Sequence, residues 1–140
     1  MSISLIVALI VAIAPTFNID PNVAIAVAIV ESQLNPNAIG GAGEIGLFQI
    51  MPDIIKAKGF TREQMLLPAV NIYVGLQMLQ DAKKHCIHKD DNDFLVCYNF
   101  GAKNARKVKY PSLWPYVKKV NTILRQQRMK ESLNEIKRPS

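Results

Sequence analysis

The sequence predicts one mainly α domain, and three observations carry that reading. The chain has 140 residues, 49% of them hydrophobic and 20% charged, which suits one buried core and is too short for two ordinary domains. Its apolar segments are bounded by proline, asparagine and glycine and lack the two-residue alternation of strands. No internal repeat, linker or low-complexity stretch divides it. The same composition excludes an intrinsically disordered chain and a fibrous repeat.

The first element is the stretch MSISLIVALIVAIA, in which nothing is polar from Leu5 to Ala14. Ten such residues do not span a bilayer, which needs about 20. An uncharged start and Pro15 directly after AIA argue against a cleavable signal. The preferred reading is a first helix buried in the core, and an uncleaved export or anchor segment is the alternative. Asp20-Pro21 then gives an N-cap and a proline at the first helical position, opening a helix through NVAIAVAIVESQL that ends before Asn35-Pro36. Four of the seven glycines fall between Gly40 and Gly46, so this segment is a tight, irregular loop.

Pro52 opens a short helix that stops at Gly59, and Pro68 opens a longer one in which Ile72, Leu76 and Leu79 share a face. Asp93 is placed to cap FLVCYNF, which stops at Gly101. A final long helix follows Trp114, with Val117, Val120 and Leu124 facing inward and a polar, basic end. The expected organisation is a single domain over 1–140, with an apolar helix and loop at 1–19, a central part at 20–124 and a basic helical tail at 125–140.

Lys and Arg number 17 against 11 Asp and Glu, yet no basic residue precedes Lys56. Residues 1–55 carry only Asp20, Glu31, Glu44 and Asp53. A field of that shape attracts polyanions, whether nucleic acid, anionic lipid or the acidic peptides of a bacterial wall. Cys86 and Cys97, separated by a polar loop, permit either a disulfide joining two helices or two reduced, buried thiols. No Cys/His grouping suggests zinc, and the run DDND lacks the spaced ligands and glycine of a calcium loop, so no metal and no cofactor are expected. His85 and His88, beside lysines at a polar helix end, read as solvated surface residues.

There is no phosphate-binding or dinucleotide glycine pattern and no GxSxG. The carboxylate that stands out is Glu31, which follows eight apolar residues, Val23 to Val30, at the negative end of its helix. Desolvation and the helix dipole both disfavour its anion and push its pKa upward, which suits a general acid near neutral pH. A plain alternative is that Glu31 marks the exposed face of an amphipathic helix.

Glu31-Ser32 with Asn35-Pro36, then Gly46-Leu47-Phe48-Gln49-Ile50-Met51-Pro52, Asn71-Ile72 with Gly75, and Cys97-Tyr98-Asn99-Phe100-Gly101 occur in that order. This series resembles the motifs of the lytic transglycosylase family, lysozyme-like enzymes that cut bacterial peptidoglycan, and Tyr116 to Val120 resembles its later Y-V-x-K-V. The resemblance runs from about Asp20 to Leu124 and includes the 18-residue step from Glu31 to Gln49. It implies a lysozyme-like fold with a catalytic cleft and a glycine-rich loop. It further implies that Glu31 protonates the glycosidic oxygen between N-acetylmuramic acid and N-acetylglucosamine, then takes a proton from the muramic acid C6 hydroxyl as a 1,6-anhydro ring closes.

By the same resemblance Tyr98 gives its hydroxyl to Glu31, while Gln49 and Asn99 bind N-acetyl or hydroxyl groups. Phe48 and Met51 wall the cleft, with core packing as their alternative, and Ser32 and Glu44 also belong to the substrate site. Trp114 is expected in the core near a helix start, with sugar stacking as the alternative. Asn71, Ile72 and Gly75 support the fold.

Departures from the family pattern are Gly40 where serine is frequent, Phe48 where methionine is commoner, Cys97 in place of alanine, and Glu44 in place of a small residue. The last admits another reading, because in goose-type lysozymes an acid at this spacing helps hold a hydrolytic water. The resulting expectation is a monomeric peptidoglycan-cleaving enzyme acting on glycan strands in the periplasm or cell wall. It has no stable membrane span and no nucleic-acid partner, and the lack of a cleavable signal suits phage-encoded or virion-borne delivery. A catalytically inactive glycan-binding module leaves Glu31, Gln49 and Tyr98 unexplained, and a nucleic-acid binder explains the charge but not the motifs.

Overall fold

Proline and short polar caps set most of the helix starts in the computed structural model, which describes residues 1–139. Helix α1 (Ile3–Ile13) is capped by the Ser2 hydroxyl, which accepts from the Leu5 N–H at 3.2 Å, and it runs into a 3-10 turn over Ala14–Phe17. Helix α2 (Pro21–Ser32) begins as expected, with the Asp20 carboxylate accepting from the Asn22 N–H at 2.8 Å and Pro21 in the first turn. Such a cap is worth about 1 kcal/mol. The chain leaves α2 through Gln33 in the left-handed region, φ 54°.

Helices α3 (Pro52–Ala57) and α5 (Pro68–His85) both start at proline, and between them lies a one-turn helix, α4 (Arg62–Met65). Then come α6 (Leu95–Phe100), α7 (Ala102–Ala105), a 3-10 turn at Pro111–Leu113 and the long α8 (Pro115–Lys137). Helix α2 lies at the centre, with α1 and α8 packed on it, while α5 packs on α1 and α6. Val23 to Ala28 are all buried. A helix enclosed on every side needs no polar stripe, which is why this sequence shows none.

On α5 and α8 the apolar faces are those expected, with Ile72, Leu76, Leu79, Val117, Val120 and Leu124 all buried. Beyond Leu124 every residue but half-buried Gln127 is exposed through Pro139, so the basic end of α8 projects from the body; Ser140 of the expected tail lies outside the described residues.

Three expectations need correction. Helix α1 is only half in the core: Ile6 and Ile10 are fully buried, whereas Ile3, Leu5 and Val11 are 60%, 50% and 48% exposed. Its neighbours α2 and α5 cover one side and leave the other, equally apolar, side bare. Asp93 does not cap α6 with its side chain. The N-terminus of α6 grows out of a turn, with Leu95 and Val96 N–H groups bonded to the carbonyls of Asn92 and Asp93. His88 is not simply solvated, since its Nε2 lies 3.1 Å from the Ala105 carbonyl oxygen. Of the two states open to the cysteines, the structure has the disulfide, from Cys86 at the end of α5 to Cys97 on α6.

Candidate active site

Glu31 sits in the last turn of α2, where the helix emerges from the core into a cleft. The Tyr116 hydroxyl, from the first turn of α8, donates to its Oε2 at 3.0 Å. Burial pushes the Glu31 carboxyl up to about 7; the Tyr116 hydrogen bond pulls it back and the charge of Glu44 adds to the rise. A carboxylic acid is thereby about half protonated at neutrality and has a donor in place for its anion. Tyr98 lines the same cleft with its ring 6.3 Å from that of Tyr116, but the hydroxyl bonded to Glu31 is Tyr116's, which corrects the role expected of Tyr98. Burial first, and the charge of Glu31 after it, hold the Tyr98 phenol well above its usual range. Burial is also the main cause of the rise for Tyr116.

The cleft encloses about 400 Å³ and brings together Glu31, Glu44, Phe48, Gln49, Met51, Tyr98 and Asn99 from the expected set. It adds Met78 of α5, which carries no motif. Ser32 is not among the lining residues. Its hydroxyl lies 2.8 Å from the Leu47 carbonyl and 3.0 Å from that of Ala28, so it ties the end of α2 to the loop behind the cleft.

That loop is positioned by one buried side chain. Asn71 Oδ1 accepts from the Phe48 N–H at 2.8 Å, and its Nδ2 donates to the Ile45 and Met65 carbonyls, both at 2.9 Å. Gly46, at φ +79°, makes room, because a Cβ there would fall on the Asn71 amide. Phe48 is both core and wall, since it is 1% exposed and also faces the cleft, and a Cβ on Gly75 of α5 would collide with its ring. Met51, 41% exposed, stands at the cleft edge as the residue before α3.

The two amide residues are each half engaged. Gln49, in the left-handed region at φ 49°, donates from Nε2 to the Ala38 and Gly46 carbonyls at 3.1 and 2.9 Å. Asn99 accepts at Oδ1 from Trp114 Nε1 at 2.9 Å, and Trp114 stacks on Phe100 with centroids 4.5 Å apart. Gln49 thus retains its carbonyl and Asn99 its NH₂, an acceptor and a donor on one cleft. Trp114 orients Asn99 instead of simply filling core.

The model of the transglycosylase SLT domain matches residues 8–114. The chain belongs to the SLT transglycosylase family. A transglycosylase of Enterobacteria phage PRD1 is 34% identical over 89 residues, which make up 64% of this chain and 32% of that protein. The fold is similar to the X-ray structure of an inactive mutant of the lytic transglycosylase Slt from Pseudomonas aeruginosa, with a TM-score of 0.72 at 20% identity over 89% of this chain and 24% of that one. The chain therefore spans about a third of the phage protein and about a quarter of the Slt chain.

Two of this SLT domain's departures from the family pattern are spatially one. A Cβ on Gly40 would fall on the Glu44 carboxylate, so Glu44 fills the space that a side chain at 40 would take. The Gly40 and Glu44 backbones are also paired, Gly40 N–H to Glu44 O at 2.8 Å. The carboxylate is steadied by a long contact of 3.4 Å from the Ala42 N–H. Both positions are legible in the sequence but their exchange is not, and Tyr116 stands there only as part of a motif, without a role.

Proposed function

We propose that this domain cleaves the β-1,4 bond between N-acetylmuramic acid and N-acetylglucosamine in peptidoglycan by lytic transglycosylation. The observation that carries the reading is a carboxyl with its pKa near 7, bonded to a tyrosine hydroxyl, on the wall of an open cleft. Glu31 as acid gives its proton to the glycosidic oxygen while the bond to muramic acid C1 breaks. The C6 hydroxyl of the same sugar attacks C1, and its proton returns to the Glu31 carboxylate, which Tyr116 has stabilised meanwhile. No water is consumed and the acid is regenerated. Intramolecular attack from a held geometry has an effective molarity on the order of 10⁵ M or more.

Gln49 and Asn99 suit an N-acetyl group, whose N–H faces the free Gln49 carbonyl and whose C=O faces the free Asn99 amide. Met51, Met78 and Phe48 cover apolar faces of the sugars. A further hollow of about 390 Å³ shares Met78 and Tyr98 with the cleft, which supports a polymer lying across both. The Cys86–Cys97 disulfide supports action in the periplasm or cell wall, outside the reducing cytosol. No described helix is long and apolar enough to cross a membrane, and the phage relative fits delivery by a phage.

The test is mass spectrometry of a digest of purified peptidoglycan. The expected products end in 1,6-anhydromuramic acid, and Glu31→Gln releases none. Products with only reducing muramic acid ends would show hydrolysis instead and would overturn the transglycosylase reading.

A further inference from the structure

Helix α8 outruns the domain that it packs on. From Arg125 to Lys137 every residue but half-buried Gln127 is exposed, over a length of about 20 Å at 1.5 Å per residue. Three large apolar side chains lie on this projecting part, and Met129, Leu133 and Ile136 are 67%, 48% and 78% exposed. Their spacing of four and then three residues sets them on one stripe, within about 60° of each other at about 100° per residue. The stripe faces away from the body. On the opposite side of the helix, Leu124, Gln127 and Glu131 line a hollow with Asp20 and Val23 at the start of α2.

Charge follows the same geometry. Lys130 and Lys137 stand on one flank of the stripe and Arg125 and Arg128 on the other, about 45 to 110° from its centre, while Glu131 and Glu135 lie further round. An apolar stripe with cations on both flanks and acids behind is the pattern of a helix that lies in a membrane interface. A second copy of the chain fits less well, since pairing two such stripes would set cation against cation along both edges.

We infer that the projecting part of α8 docks on an anionic lipid bilayer, with Met129, Leu133 and Ile136 at the acyl boundary and the flanking lysines and arginines among the lipid phosphates. The contact is peripheral, because no described helix is long and apolar enough to cross a membrane. Each flanking cation strengthens partitioning by about fivefold, and the apolar side chains multiply that gain. Removing either contribution should therefore release the protein. This docking does not depend on what the cleft cleaves.

Co-sedimentation of the full chain with vesicles tests it. The parent protein is expected to bind vesicles of phosphatidylethanolamine and phosphatidylglycerol and to stay in solution with vesicles of phosphatidylcholine alone. Lys130→Gln/Lys137→Gln removes flanking charge, and Leu133→Gln/Ile136→Gln removes the stripe while leaving every cation. Both use a good helix former on an exposed stretch, so the fold should be unchanged by circular dichroism. Each is expected to weaken binding to the anionic vesicles by about tenfold or more. Equal binding of the parent to neutral vesicles, or none to anionic ones, would overturn the inference. So would a Leu133→Gln/Ile136→Gln protein that binds like the parent, which would leave only a general attraction to polyanions. A dimer of the parent in analytical ultracentrifugation that this same variant loses would assign the stripe to a second copy instead.

Discussion

Replacing Glu31 by Gln should make the protein both inactive and more stable, and the gain should depend on pH in a calculable way. Glutamine keeps the shape of the protonated acid and cannot ionise. The folded pKa of about 7 lies above the ordinary value of 4.5. A raised folded pKa contributes stability that is fully present below the unfolded pKa and is lost as pH rises through the folded one. The native protein therefore gives up stability between roughly pH 4.5 and 7. At 1.36 kcal/mol per unit the gap between those two values amounts to about 3 kcal/mol. Glu31→Gln should melt close to the parent at pH 4.5 and, at a few degrees per kcal/mol, about 10 °C above it at pH 8. Thermal melts followed by circular dichroism from pH 4 to 9 would read this difference directly. Cleavage should meanwhile fall by the ~10² to 10⁴ expected of a lost general acid. A melting difference equal at pH 5 and pH 8 would refute a raised native pKa, and an active variant would refute the acid.

Other predictions concern the groups around that acid. Tyr116→Phe removes the hydrogen bond that favours the Glu31 anion; at about 1.5 to 3 kcal/mol for a bond to a charged group, the alkaline limb of the rate profile should move up by roughly 1 to 2 pH units while kcat falls. Glu44→Gln removes a charge that raises the Glu31 pKa, so that limb should move down, with anhydro ends still the product. Profiles that shift together in one direction would disprove the assigned signs. Gly40→Ser alone should destabilise the loop by crowding Glu44, and adding Glu44→Ala should relieve it; a double-mutant cycle should give a coupling of about 0.5 to 3 kcal/mol, and additive effects would separate the two sites. Reducing the Cys86–Cys97 disulfide reopens an 11-residue separation, worth about 3 kcal/mol in the chain-entropy account, so the melting temperature should drop measurably.

What the sequence discloses is mostly local. Asp20-Pro21, Pro52 and Pro68 announce helix starts because capping and proline act within a turn. The one-turn helices α4 and α7 are shorter than one hydrophobic repeat, so periodicity cannot register them. For α1 the failure has the opposite cause: a segment apolar on all sides has no face to read, and its half exposure depends on where α2 and α5 happen to pack. Among the site residues, Glu31, Gln49 and Tyr98 are visible by motif and spacing. The partner of Glu31 is not, because Tyr116 lies 85 residues away and only the fold closes that distance. Gly40 and Glu44 each look like an isolated oddity until the loop sets one in the other's space.

Asn71 presents one acceptor to an N–H and two donors to two carbonyls, all from the loop that forms a wall of the cleft or its anchor at α4. That arrangement sorts side chains by polarity and not by size. Aspartate has the same outline but would set a second oxygen against two carbonyl oxygens, and leucine would strand three backbone groups. Substitutions at the cleft surface leave these three bonds untouched, so the shape of the exposed wall depends on an amide buried behind it.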